Sequence, residues 1–178
     1  MSDHLTPHAE YERRFLVTDP IQTLFEGVAH PQEIEQAYLW TEGGYAVRVR
    51  VIRNPSADDS DSSHAFLTLK GPREKPHDYM RYEVEQPIDL RHAEAIVALA
   101  EHVVTKSRYP IVAEGNTFEV DVFHGANEGL IIAEFEASAQ AVARLRKPWF
   151  AAREITHESR YSNDELAVHP YQDWENYK

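Results

Sequence analysis

The chain has 178 residues, the size of about one domain, and no cysteine, so neither a disulfide framework nor a thiolate metal site is open to it. Its formal net charge of −12 opposes the long-range approach of a phosphate backbone, which excludes nucleic acid as a general partner and requires any bound anion to be met locally. No stretch is apolar for long enough to span a bilayer, and MSDHLTPHAE lacks the basic start and apolar core of a secretory signal. A soluble, unprocessed, cytoplasmic protein with no membrane partner is therefore expected.

In chain order, the first strand is expected over 10–17, where EYERRFLV puts Glu10, Glu12 and Arg14 on one face because alternate strand residues share a side. A short helix fits Pro20 to Phe25. Strands over 34–40 and 45–53 flank the turn residues Glu42, Gly43 and Gly44, and the second carries Arg48 and Arg50 in phase. A run rich in Ser and Asp, RNPSADDSDSSH, reads as a solvated acidic loop over about 53–63. Strands over 64–70, with Lys70, and 80–87, with Arg81, Glu83 and Glu85, follow. Asp89 is placed to cap a helix whose Leu90, Ala93, Ile96, Val97 and Ala100 form one apolar face.

Three more strands are expected over 104–112 (Lys106, Arg108), 117–124 (Glu119, Asp121) and 129–137 (Glu134, Glu136), separated by glycine-bearing turns. One helix follows Ser138, and another is announced by Ser162 with Glu165 in a capping-box pattern. The tail HPYQDWENYK carries Tyr171, Trp174 and Tyr177 without helical spacing, and reads either as packed on the strands or as frayed. The ends, about 1–8 and 170–178, are expected to be flexible. The 10 histidines are scattered with no HExxH, which argues against a histidine zinc site.

An antiparallel sheet commonly keeps one charged face in water, and any single doublet fits that pattern. Segregation does not: each doublet here is of one sign (Glu10/Glu12, Arg48/Arg50, Glu83/Glu85, Lys106/Arg108, Glu119/Asp121, Glu134/Glu136), with Arg14 and Arg81 added at the ends of two acidic faces. The in-phase positions hold eight acids (Glu10, Glu12, Glu83, Glu85, Glu119, Asp121, Glu134, Glu136) and seven bases (Arg14, Arg48, Arg50, Lys70, Arg81, Lys106, Arg108), close enough to balance to share an enclosed space. The expected fold is α+β, a single domain over 1–178: an eight-stranded antiparallel closed β-barrel with a charged interior and helices packed outside. Those helices would cover the outward Val49, Val51, Leu67, Leu69, Val84, Phe118, Val120, Val122, Ile131 and Phe135.

Burying that many charges without a ligand would cost more than their pairing returns, so such a tunnel is wet or filled. Lys and Arg in a ring hold phosphoryl oxygens, Arg often in a bidentate manner. Clustered Glu and Asp supply hard oxygen ligands to Mg2+ or Mn2+. Together they describe a site for a metal-bound polyphosphate.

EYERRFLV resembles the ExExK signature that opens the CYTH superfamily, the triphosphate tunnel metalloenzymes. EQAYL, YAVRVRV, FLTLKGP, RYEVEQPI, TKSRYP, FEVDVF, LIIAEFEA and EITHESRYSNDELA match in order, from about residue 10 to residue 168. The resemblance implies an eight-stranded tunnel that binds a small-molecule triphosphate and a divalent metal, closest to the short bacterial inorganic triphosphatases. It implies that Glu10, Glu12, Glu83, Glu85, Asp121, Glu134 and Glu136 bind metal or orient water, and that Arg48, Arg50, Lys70, Arg81, Lys106 and Arg108 hold phosphates. Glu10, Glu12, Arg14 and Tyr38 take the catalytic positions. Arg14 departs from the signature lysine, which puts in doubt the Lys–Tyr pair of some relatives, because a guanidinium stays protonated. Ser159 stands where relatives often have lysine. The expected reaction is hydrolysis of the terminal phosphoanhydride of tripolyphosphate, with nucleoside or thiamine triphosphates as further candidates. A CYTH adenylate cyclase and a non-catalytic polyphosphate or nucleotide binder are the alternatives, and a homodimer is left open.

Overall fold

The computed structural model describes residues 8–18, 22–25, 30–54, 63–73 and 79–174. Most of the expected acidic loop, residues 55–62, and the ends at 1–7 and 175–178 lie outside the described residues. All eight expected strands form, each within two residues of the expected bounds: β1 His8–Leu16, β2 Gln32–Glu42, β3 Tyr45–Arg53, β4 Ser63–Lys70, β5 Met80–Pro87, β6 Val103–Ala113, β7 Asn116–Phe123 and β8 Ile131–Glu136. They hydrogen-bond in the order β5-β4-β3-β2-β6-β7-β8-β1, and a β5–β1 pairing closes the ring. Every pairing is antiparallel.

The seam lies in β1. Its first half, residues 8–11, pairs with β5, and its second half, residues 12–16, pairs with β8. A ninth strand, β9 (Arg153–Glu154), adds to the end of β1 beside Phe15 and Leu16. Two residues carry no period, so β9 is invisible to sequence reading.

Outside the ring lie α1 (Gln22–Phe25), α2 (Leu90–Leu99) and α3 (Ala139–Arg144). The Asp89 carboxylate accepts from the N–H groups of Arg91 and His92, and Ser138 Oγ accepts from the Ala141 N–H, as the caps require. The outward face of β1, β6, β7 and β8 packs Phe15, Ile111, Phe118, Val120 and Phe135 against Val142 and Phe150. Each fully buried phenylalanine there contributes about 1.5–3 kcal/mol. On the opposite wall α2 sets Ala93 on Val49, Val51 and Ala65.

Of the outward residues expected under helices, Val84, Val122 and Ile131 are half-buried, whereas Leu67 and Leu69 are 39% and 44% exposed. Among the described residues α2 reaches Ala65 and nothing covers β4 beyond it.

A fourth helix, α4 (Asn163–Val168), differs from the others. Ser162 is its N-cap residue, but the hydroxyl makes no capping bond and lines the cavity instead, so the expected capping box does not form. Leu166 and Ala167 pack on Tyr38, Val104, Phe123 and Ile132, whose strand phase is that of the inward-facing charges. The inner face thus turns apolar at one end, where α4 sits. Residues 170–174, expected to belong to a flexible end, form a 3-10 turn whose Tyr171 and Trp174 rest on that cluster.

Candidate active site

The barrel encloses a cavity of about 470 Å³. Its wall holds eight bases (Arg14, Arg48, Arg50, Lys70, Arg73, Arg81, Lys106, Arg108) and eight acids (Glu10, Glu12, Glu83, Glu85, Glu119, Glu134, Glu136, Asp164). Period-2 alternation produces most of this lining: six strands turn charged doublets inward, β4 adds Lys70 and β2 adds Gln36 and Tyr38, while Arg73 and Asp164 come from outside the strands. Register then sets like charges opposite one another: Glu12 faces Glu136 across β1–β8, and Glu119 faces Glu134 across β7–β8. Such pairs destabilise a sheet, and a base answers each: Arg108 bridges Glu119 and Glu134, and Arg73 meets Glu12.

The charges are paired in a chain. Lys70 Nζ lies 2.9 Å from Glu10 Oε2 and 2.6 Å from Glu83 Oε2. Arg50 Nη2 donates to Glu85 Oε2 at 2.9 Å, and Arg48 donates to Gln36 Oε1 at 3.0 Å and Thr68 Oγ1 at 3.2 Å. Arg108 bonds both oxygens of Asp121 (2.6 and 2.7 Å), Glu134 (2.7 Å) and Glu119. Lys106 Nζ donates to Asp121 at 2.5 Å and to Asn163 Oδ1 at 3.2 Å.

The same contacts sort the carboxyls. Burial alone would push Glu134 up, but Lys106 and Arg108 override it and hold its pKa at about 2. Glu136 moves the other way, to about 7, raised first by burial and next by repulsion from Glu10, with Glu119 and Glu83 adding to it. Burial raises the Tyr38 phenol well above its usual range.

The CYTH domain family model matches residues 8–171. The chain belongs to the CYTH family. It is 33% identical over 166 residues to an inorganic triphosphatase of Acetivibrio thermocellus, covering 93% of this chain and 97% of that one. An inorganic triphosphatase of Nitrosomonas europaea is 31% identical over 164 residues, covering 89% and 97%. The crystal structure of the inorganic triphosphatase NE1496 superposes with a TM-score of 0.60 at 29% identity, covering 89% of this chain and 94% of that one.

Within this CYTH barrel the expected site residues line the cavity, with one exception. Asp121 is fully buried, does not reach the cavity, and has both oxygens taken by Arg108 and Lys106. It is therefore a counter-ion beneath the wall, not an open ligand. Arg81 lines the cavity but donates to the carbonyls of Gly71 (3.1 Å) and Gly44 (3.2 Å). Arg14 donates to the carbonyls of Tyr161 (3.1 Å) and Thr156 (3.0 Å), whereas Tyr38 lies against Arg48. Among the described residues the catalytic pair of some CYTH relatives has no counterpart at these two positions.

Sequence reading missed Gln36, Arg73, Thr156, His157, Asn163 and Asp164 as lining residues. Gln36 was recoverable, since it shares the phase of Tyr38 on β2. The others come from loops and the first turn of α4, where no strand period exists to say which way a side chain points.

Proposed function

We propose that this CYTH chain hydrolyses the terminal phosphoanhydride of inorganic tripolyphosphate with the help of a divalent metal ion, Mg2+ or Mn2+. The observation that carries the reading is an enclosed cavity whose bases and carboxylates are equal in number, most of them paired with one another. A metal-bound triphosphate is the ligand that satisfies both sets at once: phosphate oxygens replace carboxylates on the bases, and the cation replaces bases on the carboxylates.

The chemistry of the donor set fits such an ion. Carboxylate oxygens suit hard cations, and Glu136 makes no ion pair among the described residues while Glu10, Glu83 and Glu119 repel its charge. No three acids or histidines converge to chelate among the described residues, because the bases hold them apart. Glu10, Glu12, Glu83, Glu85, Glu134 and Glu136 are the carboxylates that would hold the ion or orient water. When bound, the ion would withdraw charge from the phosphoryl oxygens.

The chain's own residues supply the rest. Arg48, Arg50, Lys70, Lys106 and Arg108 hold phosphoryl oxygens and absorb charge that develops as the bond to the terminal phosphorus breaks. Water attacks that phosphorus in line, oriented by a carboxylate, and pyrophosphate leaves. Tyr38 stays protonated at neutral pH and acts as a donor, and Arg14 binds the closing segment and lends its charge. Inorganic substrate is favoured over a nucleotide because, among the described residues, the wall is mostly charged or polar and offers no apolar slot for a base.

Phosphate release from tripolyphosphate, ATP and thiamine triphosphate, each with Mg2+, Mn2+ or EDTA, tests the proposal. Metal-dependent release from tripolyphosphate is expected. Cyclic AMP and pyrophosphate from ATP would instead make it a cyclase, and binding without any release would make it a carrier or sensor.

A further inference from the structure

Arg73 lies outside every strand, in the connection after β4, yet it stands in the wall of the cavity. The backbone before it is clamped. Gly71 donates its N–H to Tyr82 O at 2.8 Å, and Arg81 bridges the carbonyls of Gly71 and Gly44, tying the β2–β3 turn to this connection. Gly44 has φ +84°, and a Cβ there would stand 3.0 Å from Pro72 Cβ. Glycine alone accepts that backbone and that approach together. Pro72 adds its own fixed φ immediately before Arg73.

From this base the Arg73 guanidinium reaches Glu12, with Nη2 2.5 Å from Oε1. Arg14 Nε is 3.8 Å from the same oxygen, because the rest of its guanidinium is bound to the carbonyls of Thr156 and Tyr161. Among the described residues the cation in direct contact with Glu12 is thus Arg73, while Ser159, also in the wall, brings no charge. Arg73 is partly buried in the wall beside Arg14 and Arg81, so a phosphate that enters next to Glu12 meets its guanidinium fork.

We infer that Arg73 is a further substrate-binding residue, which rests on Glu12 in the empty tunnel and moves to the triphosphate on loading. Gly44 and Arg81 act as its positioning residues. This rests on the triphosphatase reading above, and it assigns to a loop the phosphate contact expected of Arg81.

The test is calorimetric titration of a methylene-bridged, non-hydrolysable tripolyphosphate analogue with Mg2+, alongside phosphate release from tripolyphosphate. Arg73→Gln is expected to weaken analogue binding about tenfold or more, equivalent to about 1.4 kcal/mol, and to raise KM with little change in kcat. Arg73→Lys should recover most of the loss. Gly44→Ala, which leaves Arg73 in place but crowds Pro72, should weaken binding in the same direction. Arg91→Gln, on the exposed surface of α2, removes one positive charge far from the cavity and should change nothing. Wild-type affinity in Arg73→Gln, or an equal loss in Arg91→Gln, overturns the inference. Wild-type protein that binds the analogue but releases no phosphate overturns the hydrolase reading alone.

Discussion

Two groups of charges in the same barrel behave differently. Beneath the wall, Asp121 is fully buried without reaching the cavity and holds in a knot Lys106 and Arg108, which do line it. At the Glu12–Glu136 pair, by contrast, one acid leans on a loop arginine and the other carries its proton near neutrality. The family resemblance gives Asp121, Glu12 and Glu136 the same role, metal binding. In the structure the knot is a fixed support that aims two cavity-lining bases, whereas on the proposed function the second group exchanges its partners for the ligand.

The largest effect should come from cutting the knot. Asp121→Asn leaves two bases buried without their carboxylate and is expected to destabilise the fold by about 3–5 kcal/mol; a thermal melt measures it, and an unchanged midpoint would contradict the supporting role. Glu10→Gln and Glu12→Gln should instead keep the fold while lowering metal-dependent turnover by about 100-fold or more. Activity close to wild type in either would remove the carboxylates from the reaction.

Glu136 gives a subtler separation. Burial and repulsion from Glu10 hold Glu136 up at about 7, above the ordinary carboxylate range, so the folded state binds more protons in that window and stability falls as pH rises through it. Glu134 runs oppositely: held at about 2, it contributes stability above 4.5 that is lost as pH falls toward 2. In EDTA, Glu136→Gln should therefore flatten the decline in melting temperature between pH 5 and 7.5. Mg2+ added near pH 7 should release protons from the wild type and fewer from the variant, as an indicator dye would report. The smallest effect is expected from Arg14→Lys: an ammonium cannot reproduce the fork on Thr156 and Tyr161, at a cost of about 1 kcal/mol in denaturant unfolding.

The barrel was legible because alternation survives in every strand, and the inward doublets identified most of the wall. Three kinds of detail were not. Arg73, Thr156 and His157 lie in connections whose direction depends on tertiary contacts such as Gly44 against Pro72. Asp121 has the same period as Glu119, but depth along a strand, which separates a 0% exposed counter-ion from an open carboxylate, leaves no mark in the pattern. Leu67 and Leu69 read as core because they alternate, yet what covers an outer face is decided by where a helix crosses it, and among the described residues α2 packs on Ala65 but not on these two.

The shared seam in β1 has a consequence for how the molecule is made. Strand β1 completes its pairing only with β8, whose residues 131–136 leave the ribosome more than a hundred positions after it. Until then the inward acids of β1 have no wall to face, and closure must wait for a long-range loop to form, which is slow compared with local hairpins. Refolding followed by tryptophan fluorescence should accordingly run ahead of recovered phosphate binding. The charged interior is enclosed only once β1 has met both β5 and β8.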